Sequence, residues 1–213
     1  MARIGVLALQ GDFREHIRAV ERLGAVAHAV RLPQQLEDVD GLIVPGGEST
    51  VMGKLMVEYG LDQPLRERIA AGTPIWGTCA GMILLARETD HALAGQPLLA
   101  AMHIHVARNA FGTQRESFET DLRVPALGER PVHAVFIRAP AVTSAGPEVE
   151  VLARLDDHDD HNDHKGDTEQ GTIQGTIVAV REGPLLATAF HPEVTNDLRF
   201  HDYFLGMVRA AVH

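Results

Sequence analysis

Cys79 lies in the segment Gly77-Thr78-Cys79-Ala80-Gly81, after a short apolar run and just ahead of Met82-Ile83-Leu84-Leu85-Ala86. A nucleophile type between two glycines at a strand-to-helix turn has the pattern of a nucleophile elbow. The glycines permit the sharp turn and let a substrate approach the backbone. Such a turn pushes the side chain out at the carboxyl end of a parallel sheet, and the helix N-terminus beneath the sulfur favours thiolate. The N–H of Ala80 is then aimed at the oxygen of an attacked carbonyl. The competing reading is a buried structural cysteine, since free cysteines are among the most buried residues. The flanking glycines and the strand–helix setting favour the nucleophile.

A thiolate nucleophile needs a base, and the base needs an orienting partner. Among 12 histidines, His158, His161 and His164 fall in an acidic segment, His213 is terminal, and His28 lies in a strand remote from the sheet's active end. His191 stands apart because it follows the apolar run 185–190 and begins His191-Pro192-Glu193. Pro192 restricts the turn and Glu193 can reach back to the imidazole. The plain alternative is a loop histidine beside a proline. Pro45-Gly46-Gly47-Glu48-Ser49-Thr50 also follows a strand. Its glycines can turn N–H groups toward an anion, which with Ala80 makes Gly47 a candidate oxyanion donor. Taken alone, that run reads equally as a turn plus helix cap.

Elements that place these groups follow from periodicity. Apolar runs at 4–9, 25–30, 41–44 and 74–77 read as strands. Helical patterns cover the stretch after Asp12 (with Phe13, Ile17, Val20 and Leu23 on one side), about 48–59, 62–71 and 80–87. Alternating strands and helices predict a parallel sheet covered on both faces. The second half is strand-rich, at 101–106, 117–124, 132–137, 148–155, 176–180 and 185–190. It reads as an antiparallel extension of the same sheet, closed by a helix over 197–212. The expected fold is three-layer α/β, with residues 1–213 as one domain.

Composition narrows the function classes. The net charge of −10 argues against a phosphate-backbone partner. One cysteine forms no internal disulfide, which fits a reducing compartment. The apolar N-terminal run is too short for a signal segment, and no run reaches membrane-spanning length. A cytoplasmic protein is expected.

The three motifs together resemble the class I glutamine amidotransferases. Ala8 to His16, the Gly-Gly-Glu-Ser-Thr run, Trp76 to Gly81, Arg108 to Gly112, Phe136 to Pro140 and Phe190 to Thr195 are similar to one subfamily. That subfamily is the glutaminase subunit of the two-subunit pyridoxal 5′-phosphate synthase. The resemblance implies that Cys79, His191 and Glu193 form a catalytic triad releasing ammonia from L-glutamine. It implies glutamine contacts from Gly47, Glu48, Ser49, Arg108, Ile137 and Arg138, an oxyanion hole at Gly47 and Ala80, and no cofactor or metal. It also implies a (β/α)₈-barrel synthase partner in a twelve-plus-twelve complex. An arginine suits the substrate α-carboxylate, since its fork binds bidentately; for Arg108 a surface salt bridge is the plainer reading. Two alternatives remain: ammonia delivered to another acceptor synthase, or a non-catalytic regulatory protein on the same fold.

The stretch from Asp156 to about Thr176 departs from the family, and its first part, 156–171, is acidic. Six Asp, one Glu and one Lys leave that part at −6, and it holds no apolar residue. It reads as a solvated insert, with metal binding as the weaker reading.

Overall fold

The computed structural model describes residues 1–90, 95–111, 117–155 and 175–212. The acidic insert lies outside the described residues. The first half runs β1 (Arg3–Leu7), α1 (Phe13–Arg22), β2 (Val26–Val30), β3 (Gly41–Val44), α2 (Ser49–Glu58), α3 (Asp62–Ala70), β4 (Ile75–Thr78) and α4 (Ala80–Leu85). The second half runs β5 (Ala86–Thr89), β6 (Met102–Ala107), β7 (Ser117–Leu122), β8 (Val132–Ile137), β9 (Ala141–Ala145), β10 (Glu150–Leu155), β11 (Thr176–Glu182), β12 (Leu185–Thr188) and α5 (Arg199–Ala211).

Ten strands form one sheet in the order β2-β1-β3-β4-β12-β11-β9-β6-β5, with β10 also paired to β11. The half from β2 to β12 is parallel, and β11 reverses it. β3, β4 and β12 are buried at every position, so their near-continuous apolar character follows from cover on both faces. Trp76 packs against His16 of α1 and against Phe200, His201 and Phe204 of α5. A Cβ on the next residue, Gly77, would meet Gly81 and Leu85 of α4. Adjacent strand residues point to opposite faces, so α1 and α5 cover one side and α4 the other. The fold is the expected three-layer α/β arrangement.

Four details differ from the sequence reading. The helix expected to Arg87 ends at Leu85, and Ala86 turns extended (φ −61°, ψ 144°) to begin β5. Strand β9, AVTSA, is half polar and too short for its alternation to stand out. β7 and β8 form a separate two-stranded ribbon rather than an extension of the main sheet. The ribbon is held to the core by Phe136, which stacks on Phe118 at 4.7 Å and meets Phe190 edge-on at 5.5 Å. Asp12 stands at the N-cap of α1 but makes no side-chain cap hydrogen bond. No described helix is long and apolar enough to cross a membrane.

A close helix–strand approach lies beside the elbow. A Cβ on Gly81 would sit 2.0 Å from the carbonyl oxygen of Val44, at the end of β3. Backbone cannot yield as a flexible side chain does, so α4 can sit this close to β3 only with glycine there. Gly81→Ala should therefore destabilise the protein by about 3 kcal/mol. That would read as a fall of roughly 6–12 °C in Tm; an unchanged melting curve would contradict the packing described.

Candidate active site

Four of the segments that form the site enter from the carboxyl ends of parallel strands. Gln10 follows β1, the Gly46–Glu48 run follows β3, Cys79 follows β4 and His191 follows β12. These four strands are consecutive in the sheet, so separate chain segments converge at one rim.

Cys79 takes φ 48° and ψ −105°, a left-handed conformation that L-residues adopt at a cost of order 1–3 kcal/mol. It is held there from both sides. Its N–H donates to Thr188 O at 2.8 Å, and its carbonyl accepts from Met82 N at 3.0 Å. The thiol is 7% exposed, yet it faces a cleft of about 320 Å³ and is not sealed in apolar packing. Sγ lies 4.0 Å from the carbonyl oxygen of Ile137. Ala80 opens α4, and N–H groups of a first helical turn have no partner within the helix.

His191 is anchored by its own N–H, which donates to Val135 O of β8 at 2.9 Å. A 3₁₀ turn over Pro192–Val194 folds Glu193 back, so that Oε1 sits 2.7 Å from His191 Nδ1. The imidazole packs against Gly46, where an added Cβ would be 2.4 Å from Cε1. Only glycine lets the ring reach this position. Burial of the ring works against its cationic form. The Cys79 sulfur and the Glu193 carboxylate outweigh that effect and push the His191 pKa up to about 10. The arrangement sets a cysteine sulfur and a carboxylate against one imidazole.

The candidate glutamine residues Gly47, Glu48, Ser49, Arg108, Ile137 and Arg138 all line the cleft, together with Gln10, Asp12, Ala80 and Asn109. Glu48 caps α2, accepting from Thr50 N at 3.1 Å and Val51 N at 2.8 Å. It also pairs with Arg108 at 3.1 Å. Partial burial raises the proton affinity of Glu48. The N–H groups of Val51 and Thr50, the Thr50 hydroxyl and Arg108 together hold it below the usual carboxylate range. Arg108 is thus a salt-bridged residue, as the plainer reading had it, but its ion pair forms the cleft wall rather than open surface. Gln10 Oε1 accepts the N–H of Glu48 at 3.0 Å. The backbone of the loop after β3 is therefore engaged by a side chain that sequence reasoning did not single out.

Beneath the cleft lie two buried histidines with no sequence-derived role, His16 and His201. His16 Nδ1 is 2.9 Å from His201 Nε2, and His16 Nε2 is 3.2 Å from Thr78 Oγ1. Burial, reinforced at His16 by the charge of His201 and His191, lowers the pKa of both, His201 to about 4. A signal existed: each sits on the apolar stripe of its helix, with Ala19 and Val20 in α1 and with Phe204, Leu205 and Val208 in α5.

Among the described residues, Asp12, His191 and Glu193 are the one close-set trio of metal-ligating types. His191 Nδ1 is already committed to Glu193, and an imidazolium cannot ligate. This donor set suits proton transfer. A larger depression of about 930 Å³ beside β7 and β8 is lined by Glu119, Asp121, Arg130 and His133. Its lining holds neither cysteine nor serine.

The SNO glutamine amidotransferase family matches residues 6–210. The pyridoxal 5′-phosphate synthase subunit PdxT of Herpetosiphon aurantiacus is 55% identical over 205 residues, covering 96% of this chain and 99% of that protein. The subunit of the same name from Clavibacter sepedonicus is 53% identical over 208 residues, covering 98% and 91%. A crystal structure of a glutamine amidotransferase superposes with a TM-score of 0.84 at 47% identity, covering 97% of this chain and 98% of that one.

Two outcomes follow from the electrostatics. In Cys79→Ser, the His191 titration followed by NMR should fall well below 10, because contact with the Cys79 sulfur is the largest favourable influence on the cation. A titration point left near 10 would contradict this origin. Because its folded value is raised, the stability this pair contributes is full below the ordinary histidine value of about 6.5. It is lost as pH rises through about 10. The two inner histidines act in the opposite sense, being held neutral. Their contribution is full above about 6.5 and drains as pH falls below that value, for His201 down to about 4. Denaturant unfolding between pH 7 and 4.5 should therefore show a shallower acid loss in His201→Leu than in the wild type; equal slopes would contradict the assignment.

Proposed function

The chain belongs to the SNO glutamine amidotransferase family, and on that premise we propose that it hydrolyses L-glutamine as the glutaminase subunit of a pyridoxal 5′-phosphate synthase. One observation carries the reading. A cysteine strained outward at a strand–helix turn opens on a cleft, paired with an imidazole that a buried carboxylate holds at 2.7 Å.

In this reading the Cys79 thiolate attacks the carboxamide carbon of glutamine. The C–S bond forms as the carbonyl π electrons move to oxygen, where the N–H groups of Ala80 and Gly47 stabilise the anion. His191 gives its Nε2 proton to the departing nitrogen, the C–N bond breaks, and ammonia leaves a thioester. His191 then removes a proton from water, which attacks the thioester, and glutamate departs with the thiolate restored. Glu193 fixes the imidazole and stabilises its charged form.

The amino-acid end of the substrate is matched by charge. The Arg108–Glu48 pair sets a donor fork and an acceptor side by side on the cleft wall. That is the complement of an α-carboxylate next to an α-ammonium. Arg138, Ser49 and Ile137 complete the pocket. Ammonia then passes to a (β/α)₈-barrel synthase subunit in a twelve-plus-twelve assembly, with residues 1–213 working as one domain in the cytoplasm. The relatives, called subunits of that synthase, support this partner.

Glutamate release from glutamine, measured with the barrel synthase subunit present and absent, tests the reading. Activity should be found in the complex and fall at least about a thousandfold in Cys79→Ala. Retention of activity by that variant would sink the nucleophile assignment. Activity supported by a different acceptor synthase instead would displace the proposed partner.

A further inference from the structure

The hydrogen-bond pattern beneath the triad is only partly closed. Glu193 spends Oε1 on His191, while its other oxygen, Oε2, is buried without a hydrogen-bond partner. The ring of His16 faces Oε2, with its Nε2 3.4 Å away. At that length and geometry the contact is electrostatic rather than a closed hydrogen bond. Its sign therefore depends on whether Nε2 carries a proton or a lone pair.

The neighbours decide the tautomer. His16 and His201 share one hydrogen bond, from Nδ1 of the first to Nε2 of the second. If His16 carried its proton at Nδ1, His201 would have to carry its own at Nδ1. That atom is buried and has no hydrogen-bond partner, so an N–H would be stranded there. His16 Nε2 would also turn a lone pair toward the Glu193 carboxylate, unless the Thr78 hydroxyl covered it. In the other arrangement His201 donates from Nε2, His16 accepts at Nδ1, and the His16 proton sits at Nε2 facing Thr78 and Glu193. No buried N–H is then left over. An unmet ring lone pair on His201 is the smaller penalty.

We propose that His16, set by His201 in the tautomer protonated at Nε2, is a positioning residue that turns an N–H toward Glu193 Oε2 and keeps this carboxylate ionised and aligned on His191. The role rests on the glutaminase reading. A buried carboxylate oxygen with no donor facing it raises the group's affinity for a proton, and a protonated Glu193 cannot support an imidazolium. A charged His16 would compete with His191 for the carboxylate. Burial and its two histidine neighbours hold it neutral, so it offers an N–H dipole without becoming the base. The other groups around this pair are few: Asp12 lies 4.0 Å from His191 Nδ1, and the Trp76 ring meets His16 edge-on at 5.6 Å.

The test is a comparison of His16→Leu and His16→Gln in the complex with the barrel subunit, read as kcat, KM and the acid limb of the kcat/KM profile. Loss of the N–H in His16→Leu should lower kcat about tenfold to hundredfold with KM nearly unchanged. The acid limb should move to higher pH, because Glu193 then takes a proton more readily. His16→Gln places an amide N–H near the Nε2 position and should recover most of kcat and the original limb. A folded His16→Leu enzyme with wild-type kcat and an unmoved acid limb would overturn the proposal, as would equal loss in both variants. Should His16→Leu fail to fold, His201→Leu decides, since it frees the tautomer: an upward shift of the acid limb supports the role, and an unmoved limb overturns it. Cys79→Ala, run alongside, separates the two failures. If it remains active, the glutaminase reading has failed, whatever the histidine variants do.

Discussion

Glu193 is an acid enclosed by protein, and its burial is sustained by the imidazole two residues before it in the chain. Taking a carboxylate out of water is costly unless an opposite charge or several donors receive it. The 2.7 Å contact between Oε1 and His191 Nδ1 meets that need, and in doing so it fixes the ring's plane and tautomer. The 3₁₀ turn at Pro192 makes the contact local, so it does not rely on a distant loop. Cys79 then completes the row at the imidazole, and both of its neighbours favour the charged form of the ring.

That row is assembled from strands that are neighbours in space and far apart in the chain. β3, β4 and β12 run parallel and end together, so the loops that follow them meet at one rim. The meeting is close enough to exclude side chains at particular points. Gly46 lies under the His191 ring, and Gly81 lies against the carbonyl of Val44. The strained backbone at Cys79 is held open by hydrogen bonds to Thr188 and Met82, with the rigidity coming from a fully buried sheet behind them. The β7–β8 ribbon joins the same arrangement through Val135, which accepts the N–H of His191, and through Phe136 on Phe190.

Much of this was legible beforehand because the signals are local. A glycine-flanked cysteine between apolar runs and a His-Pro-Glu segment after a strand need only adjacent residues to be seen. The parallel half of the sheet was equally readable, since strands buried on both faces are short unbroken apolar runs. The later strands were harder. β5 follows directly from a helix with no punctuation, and β9 is half polar and short. The separation of the β7–β8 ribbon depends on which partner each strand finds, and alternation does not encode that. His16 and His201 looked like two among 12 histidines, and only their place on apolar helix stripes set them apart.

The sequence by itself determined residue types and local turns: a cysteine at a bend, an imidazole next to a proline and an acid, glycines where chains must touch, and apolar runs that make a parallel sheet. These are properties of a few neighbouring residues, set by backbone sterics and burial. Only the tertiary structure decided that Arg108 meets Glu48 across the cleft, that Gln10 engages the loop after β3, and that His16 meets both His201 and Glu193. Those pairings link residues from 38 to 185 positions apart. Their energies depend on distance and on the exclusion of water, which exist only once the chain has folded.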